Sequence, residues 1–214
     1  MSKVFIAGGS GRVATDLIKD LVAAGNDVVA GARHPEKIVE LAGVTPVTLD
    51  LHSDVAKIAT MMAGSNAVYF VAGSRGKDLF QTDAMGAVKT MQAAQRAGIK
   101  RYIMLSSMYA LQPEKWADYS ALASITDYNI AKFFADNYLI SNTDLDYTII
   151  QPATLTEEAA TGKVRFGEGN DTTNPIPDVA RVLASVLTAD NTIGKVIMMR
   201  SGQTPIEDAV AAVK

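Results

Sequence analysis

The chain has 214 residues, 48% of them apolar and 20% charged, with a formal net charge of −3, two histidines and no cysteine. That length suits one domain with a full core. The charge balance, with no basic run, argues against nucleic acid as a partner, and the missing cysteines exclude disulfides, thiolate nucleophiles and thiolate metal ligands. His34 and His52 are not at ligand spacing, so no metal is expected. The apolar stretch KVFIAGG is too short for a signal peptide, and no segment approaches the ~20 apolar residues of a membrane span. The expectation is a cytoplasmic protein that meets a small-molecule substrate and neither membrane nor nucleic acid. Oligomeric state is not written in these features.

In chain order, KVFIA (3–7) is an apolar run of strand length. RVATDLIKDLVAAG (12–25) sets Val13, Leu17, Leu21 and Val22 on one helical face and stops at Gly25, a C-terminal cap. A second strand, DVVAGA (27–32), leads to HPEKIVELAG (34–43), which reads as a helix with Pro35 near its start and Gly43 past its end. Strand VTPVTLDL (44–51), helix DVAKIATMMAG (54–64), strand NAVYFVA (66–72) and helix DLFQTDAMGAVKTMQAAQRAG (78–98) follow. Then come strand RYIMLSS (101–107), helix SITDYNIAKFFAD (124–136) and strand DYTIIQ (146–151). Runs apolar on both faces suit buried parallel strands. Six strands alternating with five helices predict an α/β fold, a Rossmann-like doubly wound parallel sheet.

After Pro152 the rhythm changes. TGKVRFGEGNDTTNPIP (161–177) reads as a loop or short hairpin, PDVARVLASVLTAD (177–190) as a helix with Asp178 near its positive end, KVIMMR (195–200) as a strand and PIEDAVAAV (205–213) as a closing helix. The expected organisation is a single domain over 1–214, with a core at 1–151 and a small substrate-side flap at 152–214. The methionines Met61, Met62, Met85, Met91, Met104 and Met108 read as core fillers.

FIAGGSGRVA joins the first strand to the first helix. Gly9, Gly11 and Ala14 satisfy GxGxxA, while Gly8, Gly11 and Ala14 satisfy GxxGxxA. Either register allows a tight turn, close backbone approach to a pyrophosphate and free N–H groups at the helix start. In this strand-to-helix position the pattern points to a dinucleotide; by itself it is a tight βα turn. An NAD site places an acidic residue near the end of the second strand, where this chain has Gly31 and Ala32 followed by Arg33, His34 and Lys37. A guanidinium suits a 2′-phosphate, so NADP(H) is expected over NAD(H), with a solvated Arg33 as the alternative. Arg12 offers a second cation for the phosphates. Asp50, at the end of TLDL, either accepts a bond from the adenine amino group or caps its own turn.

Tyr128 and Lys132 form the one YxxxK match, against about 0.4 expected by chance for seven tyrosines and twelve lysines. Four residues apart, they share a helical face. Free tyrosine is a poor acid at neutral pH unless its phenolate is stabilised. A lysine one turn along does this through its field, and Ser107 at the end of the fifth strand can hold a carbonyl oxygen beside the phenol. Hydride transfer to carbon with Tyr128 protonating oxygen is the implied chemistry. Trp116 and Tyr119 either wall a substrate pocket or pin their loop, Arg75 and Lys77 read as solvated loop charges with attraction of an acidic or phosphorylated substrate as the alternative, His34 reads as a neighbour of the cofactor phosphate, and His52 has no task.

The GGSGRVA turn, the LSS strand end and the YNIAK helix resemble the short-chain dehydrogenase/reductase superfamily. The segments DAMGAVKTMQAAQRAGIKRYIMLSS, AKFFADNYLISNTDLDYTIIQPATLT and PIPDVARVLASVL are similar to its compact atypical group, which includes NmrA-like and flavin reductase/biliverdin reductase B-like proteins. The resemblance implies a catalytic Ser107, Tyr128 and Lys132. It places the cofactor along Gly8, Gly9, Ser10, Gly11, Arg12 and Val13, Arg33, Asp50 and Leu51, Ala72 and Gly73, Ser106, Lys132, and Gln151, Pro152 and Ala153. Gln151 departs from the arginine usual in that group, which implies a cation missing near the nicotinamide or substrate. An NADP(H)-dependent reductase of a small carbonyl, quinone or flavin is the expected function. The alternative is an NADP(H)-binding sensor without turnover, and a nucleotide-sugar epimerase or dehydratase is a weaker third, since about sixty C-terminal residues look too few to hold a sugar nucleotide.

Overall fold

A computed structural model describes residues 2–170 and 172–214. The strands are β1 (Lys3–Ala7), β2 (Asp27–Ala32), β3 (Val44–Thr48), β4 (Ala67–Phe70), β5 (Arg101–Leu105), β6 (Asp146–Pro152), β7 (Thr154–Thr156), β8 (Lys163–Phe166), β9 (Thr173–Pro175), β10 (Lys195–Ser201) and β11 (Thr204–Pro205). The α-helices are α1 (Arg12–Ala23), α2 (Val55–Met62), α3 (Met85–Arg96), α4 (Ser120–Ala123), α5 (Thr126–Asn142), α6 (Ile176–Ser185) and α7 (Ile206–Ala211). The main sheet runs β11-β8-β10-β6-β5-β4-β1-β2-β3, with β7 and β9 paired separately. From β3 through β6 to β10 every neighbouring pair is parallel, while β8 lies antiparallel to both β10 and β11. The α/β Rossmann-like sheet expected from the alternating pattern is present.

Alternation along each strand divides the core between the two faces, because successive side chains point to opposite sides. Val4 and Ile6 join α1, α6 and α7 on one face through Leu17, Leu21, Val179, Leu183 and Ile206. Phe5 and Ala7 join α2, α3 and α5 on the other through Ile58, Met91, Ala135 and Leu139. Buried phenols carry their own partners: Tyr69 Oη donates to the Leu183 carbonyl at 3.1 Å and Tyr102 Oη meets Thr90 Oγ1 at 2.7 Å.

Three expectations need correction. HPEKIVELAG forms only a 3₁₀ turn at Pro35–Lys37, after which Ile38 is extended. Ile38 is buried beneath the sheet while Leu41 is exposed, and Gly43 turns the chain with φ +86° into β3. A segment at the sheet's edge has too little neighbouring surface to bury a helical stripe. The helix over 78–98 is interrupted: Leu79–Ala84 is a π-helical turn and α3 begins at Met85, which is itself exposed. The residues after Pro152 are more than a flap, because β10 pairs with β6, β8 and β11 extend the sheet, and α6 packs on α1. Asp178, buried in the first turn of α6, also accepts bonds from the Thr161 and Gly162 amides, which ties that helix to the start of β8.

Leu17→Ala, at a site with no exposed surface between α1 and the sheet, should cost about 2–5 kcal/mol in urea unfolding. Phe80→Ser, at a position 76% exposed, should stay within about 0.5 kcal/mol of wild type.

Candidate active site

The strand order reverses between β1 and β4, whose chains leave in opposite directions along the sheet. A crevice at such a reversal is where open α/β sheets bind ligands. Here it is a cavity of about 430 Å³ over the ends of β1, β2 and β4, within the range of small-molecule sites. Gly8, Ser10, Gly11, Arg12 and Val13 line its floor. Gly8 has φ +98°, and a Cβ there would lie 2.6 Å from the Ala72 backbone. Gly11 closes the turn by donating its N–H to the Gly8 carbonyl at 3.0 Å and caps α1 without a side-chain bond. The first amides of α1 have no intrahelical acceptor, so the turn presents donors and a positive helix end to the cavity. Gly9 is not on this surface; a Cβ there would meet Ala30 Cβ at 2.8 Å. The register that faces the cavity is therefore Gly8-x-x-Gly11-x-x-Ala14.

Gly31, Ala32, Arg33, Leu49, Asp50, Leu51, His52, Ala72 and Gly73 continue the wall. Gly31 is held small by packing, since a Cβ would lie 2.9 Å from Leu49. Asp50 Oδ1 accepts the His52 amide at 2.9 Å, the capping role. His34 turns to Glu36, Nδ1 to Oε1 at 3.2 Å, and neither it nor Lys37 reaches the wall. His52 does acquire a place: its Nε2 lies 2.7 Å from Asp78 Oδ2, and the same carboxylate oxygen accepts Thr82 Oγ1 at 2.6 Å. These bonds from Thr82 and His52, with the nearby charge of Arg33, hold Asp78 below the usual carboxylate range. Arg75, exposed in the loop after β4 with φ 54°, also lines the cavity. Arg12 reaches across to Glu157 at 2.5 Å, joining the glycine turn to the segment after β7.

Tyr128 and Lys132, in the first two turns of α5, line the opposite end together with Leu105 and Leu155. Lys132 is 2% exposed and donates from Nζ to the Leu105 carbonyl at 3.1 Å. Its ammonium lies 5.6 Å from the Tyr128 ring centre and 5.5 Å from that of Phe70. Burial pushes the Tyr128 phenol up, Lys132 pulls it down, and Asp83 and Asp136 push it up again. One turn beyond Lys132, Asp136 is fully buried, and its Oδ2 accepts Ser106 Oγ at 2.7 Å and Gln151 Nε2 at 3.0 Å. Desolvation outweighs those two bonds and the Lys132 charge, so its carboxyl is pushed up to about 6. Ser106 and Gln151, expected beside the cofactor, are turned inward by that carboxylate. Pro152 and Ala153 are buried as well: the Pro152 carbonyl accepts the Met108 amide at 2.9 Å, and the Ala153 amide donates to Asn174 Oδ1 at 2.9 Å. Ser107, 9% exposed, follows β5 in the chain but is not part of the cavity wall.

Asp136 and Asp83 are absent from the sequence reading. Asp136 had one signal, its position four residues beyond Lys132 in AKFFAD. Asp83 Oδ2 accepts the Ser74 amide at 3.0 Å from within the π-helical turn, a pairing with no local signature.

A glycine turn at the sheet's reversal, with a helix start aimed into the crevice, defines a Rossmann-type dinucleotide-binding protein. More narrowly, this chain belongs to the NAD(P)H-binding family, whose pattern it matches over residues 8–190. It is 32% identical over 217 residues to the uncharacterized sugar epimerase YhfK of Bacillus subtilis, covering 97% of this chain and 98% of that protein. Among solved structures it is similar to the oxidoreductase ylbE of Lactococcus lactis, with 43% identity, a TM-score of 0.95 and coverage of 99% and 96% of the two chains. It is also similar to a candidate NAD-dependent epimerase/dehydratase of Bacillus halodurans, with 33% identity, a TM-score of 0.87 and coverage of 98% and 99%. The chain thus stands in an NAD(P)-dependent oxidoreductase/epimerase group akin to the atypical short-chain dehydrogenases/reductases.

The native carboxyl of Asp136 titrates near 6, whereas its ordinary value is 3.8. Between those values the folded state binds more protons than the unfolded one, so this residue's contribution to stability falls as pH rises from about 4 to about 6. Asp136→Asn should flatten the pH dependence of the unfolding free energy from urea titrations across that window, by up to roughly 3 kcal/mol.

Proposed function

We propose that the protein is an NADP(H)-dependent reductase of a small carbonyl, quinone or flavin, with Tyr128 as the proton donor. The observation that carries this reading is that Tyr128 and Lys132 line the same cavity as Gly8 and Gly11. The residues fit the cofactor. Gly8 and Gly11 leave backbone open to a pyrophosphate, and the α1 amides with Arg12 face its charge. When bound, the dinucleotide would supply the hydride, to carbon in a carbonyl or quinone and to N5 in a flavin. With a carbonyl or quinone Tyr128 gives its proton to the substrate oxygen, and the Lys132 ammonium stabilises the phenolate left behind. Leu105 and Leu155 flank the pair with apolar surface, which limits water and strengthens the field of the ammonium. Ser107 is proposed to hold the carbonyl oxygen in the substrate complex.

The preference for NADP(H) rests on Arg33, exposed on the cavity wall beside Gly31 and Ala32, where an NAD site carries a carboxylate. The proximity of Asp78 moderates that preference by holding part of the guanidinium's field. A quinone or flavin acceptor is supported by the resemblance of the α3, α5 and α6 segments to NmrA-like and flavin reductase/biliverdin reductase B-like proteins. Epimerisation of a sugar is a second reading, favoured by the name of the Bacillus subtilis relative; it uses the same tyrosine and lysine.

NADPH oxidation against quinones, flavins and small aldehydes tests the first reading, with nucleotide hexoses in the same panel for the second. Tyr128→Phe should lower kcat by about 10²–10⁴ while leaving the Kd for NADPH within about twofold. NADPH binding without turnover on any substrate would instead support a sensor. Arg33→Ala should weaken NADPH about 10–100-fold and leave NADH unchanged, as read by titration calorimetry; an equal loss for both would end the NADP(H) preference.

A further inference from the structure

The reductase mechanism uses Tyr128 and Lys132, yet a fully buried carboxylate near them has no part in it. Asp136 lies one turn beyond Lys132 on α5, and its Oδ2 is clamped by Ser106 from the end of β5 and by Gln151 from β6. Its Oδ1 is buried and has no hydrogen-bond partner among the described residues. A carboxylate fully removed from water is costly unless a cation offsets it. Lys132 offsets part of that cost, and desolvation still prevails. The ammonium donates to the Leu105 carbonyl, so the two charges act on each other through space rather than across a shared hydrogen bond. Tyr128 stands on the same helical face one turn before Lys132, with Asp83 beyond it on the π-helical turn.

We infer that Asp136 is a positioning residue acting through Lys132: its carboxylate, clamped by Ser106 and Gln151, takes up part of the ammonium's field and so sets how readily Tyr128 releases its proton. Ionised, Asp136 disfavours the phenolate and makes Tyr128 a weaker acid. Protonated, it leaves the Lys132 field to the phenol and makes Tyr128 a stronger one. Burial places that ionisation at about 6, where a change of acidity alters catalysis at ordinary pH. The charged groups facing this site are Lys132 on the same helix and Asp83 from the π-helical turn; Ser106 and Gln151 contribute neutral donors. Gln151 matters because an arginine in its place would hold Asp136 ionised throughout and abolish the switch. The effect on catalysis rests on the reductase reading, but the electrostatic coupling does not.

The test therefore begins without turnover. In protein carrying ¹³C at the tyrosine Cζ, the Tyr128 resonance, assigned by its loss in Tyr128→Phe, should show a step with a midpoint near 6. Asp136→Asn should abolish the step, and Asp136→Glu, which keeps the charge, should restore one. Gln151→Leu removes one donor to the carboxylate and should move the midpoint to higher pH, a readout available even if Asp136→Asn does not fold. Where the reductase reading holds, kcat should fall through the same pH in wild type. Asp136→Asn should then remain at the acid-side rate at pH 8, where the wild type has fallen below it. A flat Tyr128 resonance in wild type, or a step that survives Asp136→Asn, overturns the inference. A protein with the step but no turnover would retire the reductase and leave the coupling standing.

Discussion

At the head of the sheet β1 and β4 approach so closely that a Cβ on Gly8 would lie 2.6 Å from the backbone of Ala72. That contact constrains everything above it. β1 and β4 are neighbours whose connections run to opposite ends of the sheet, and the diverging turns leave a crevice between them. Any side chain at Gly8 would push the turn off Ala72 and carry the start of α1 with it. Gly8 and Gly9 both donate their N–H groups to the Gly31 carbonyl at 2.9 Å, so the same turn also fixes the end of β2. Three strands thus meet at one small-residue junction, and the cavity is the space that they cannot fill.

At the other end of the cavity the constraint is electrostatic. Lys132 and Asp136 are both buried and belong to consecutive turns of α5, and Tyr128 precedes them by one more. A buried ammonium needs fixed dipoles or an opposite charge. It has the Leu105 carbonyl, two aromatic faces and the Asp136 field. Those partners come from β5, β4 and α5, so the sheet ends and the helix share one charge balance. Rotation of α5 would expose apolar Ala135 and Leu139 as it broke that balance, which couples the core to the buried charges.

What the sequence revealed follows the range of the interaction. The continuous apolar runs, KVFIA among them, registered the sheet, because a strand's burial is settled by its own residues. The glycine turn and the Tyr128–Lys132 spacing were equally legible, since each lies within one turn or one helix. HPEKIVELAG carried the end signals of a helix without a surface to bury its stripe, and the edge position that denies it one is a property of the whole sheet. The inward turn of Ser106 and Gln151 was hidden for a similar reason. Their common acceptor, Asp136, is 30 and 15 residues away. Arg12 and Glu157 are separated by 145. Pairing over such distances leaves no periodicity to read.

The C-terminal residues show how far position depends on partners. Arg200, on β10, is fully buried and donates to Tyr109 Oη at 3.0 Å. Tyr109 in turn donates to Glu168 Oε2 at 2.6 Å, stacks on Tyr119 at 5.1 Å, and accepts Trp116 Nε1 on its carbonyl at 2.8 Å. Its φ of 57° is costly for a non-glycine residue, and these four contacts are what hold it there. Trp116 and Tyr119 therefore pin the loop between β5 and α5. That loop leads from Ser107 toward Tyr128, so β10, through Arg200 and Tyr109, fixes the start of the segment proposed to be catalytic. A strand that looked like part of an appended flap is a foundation for the loop between β5 and α5.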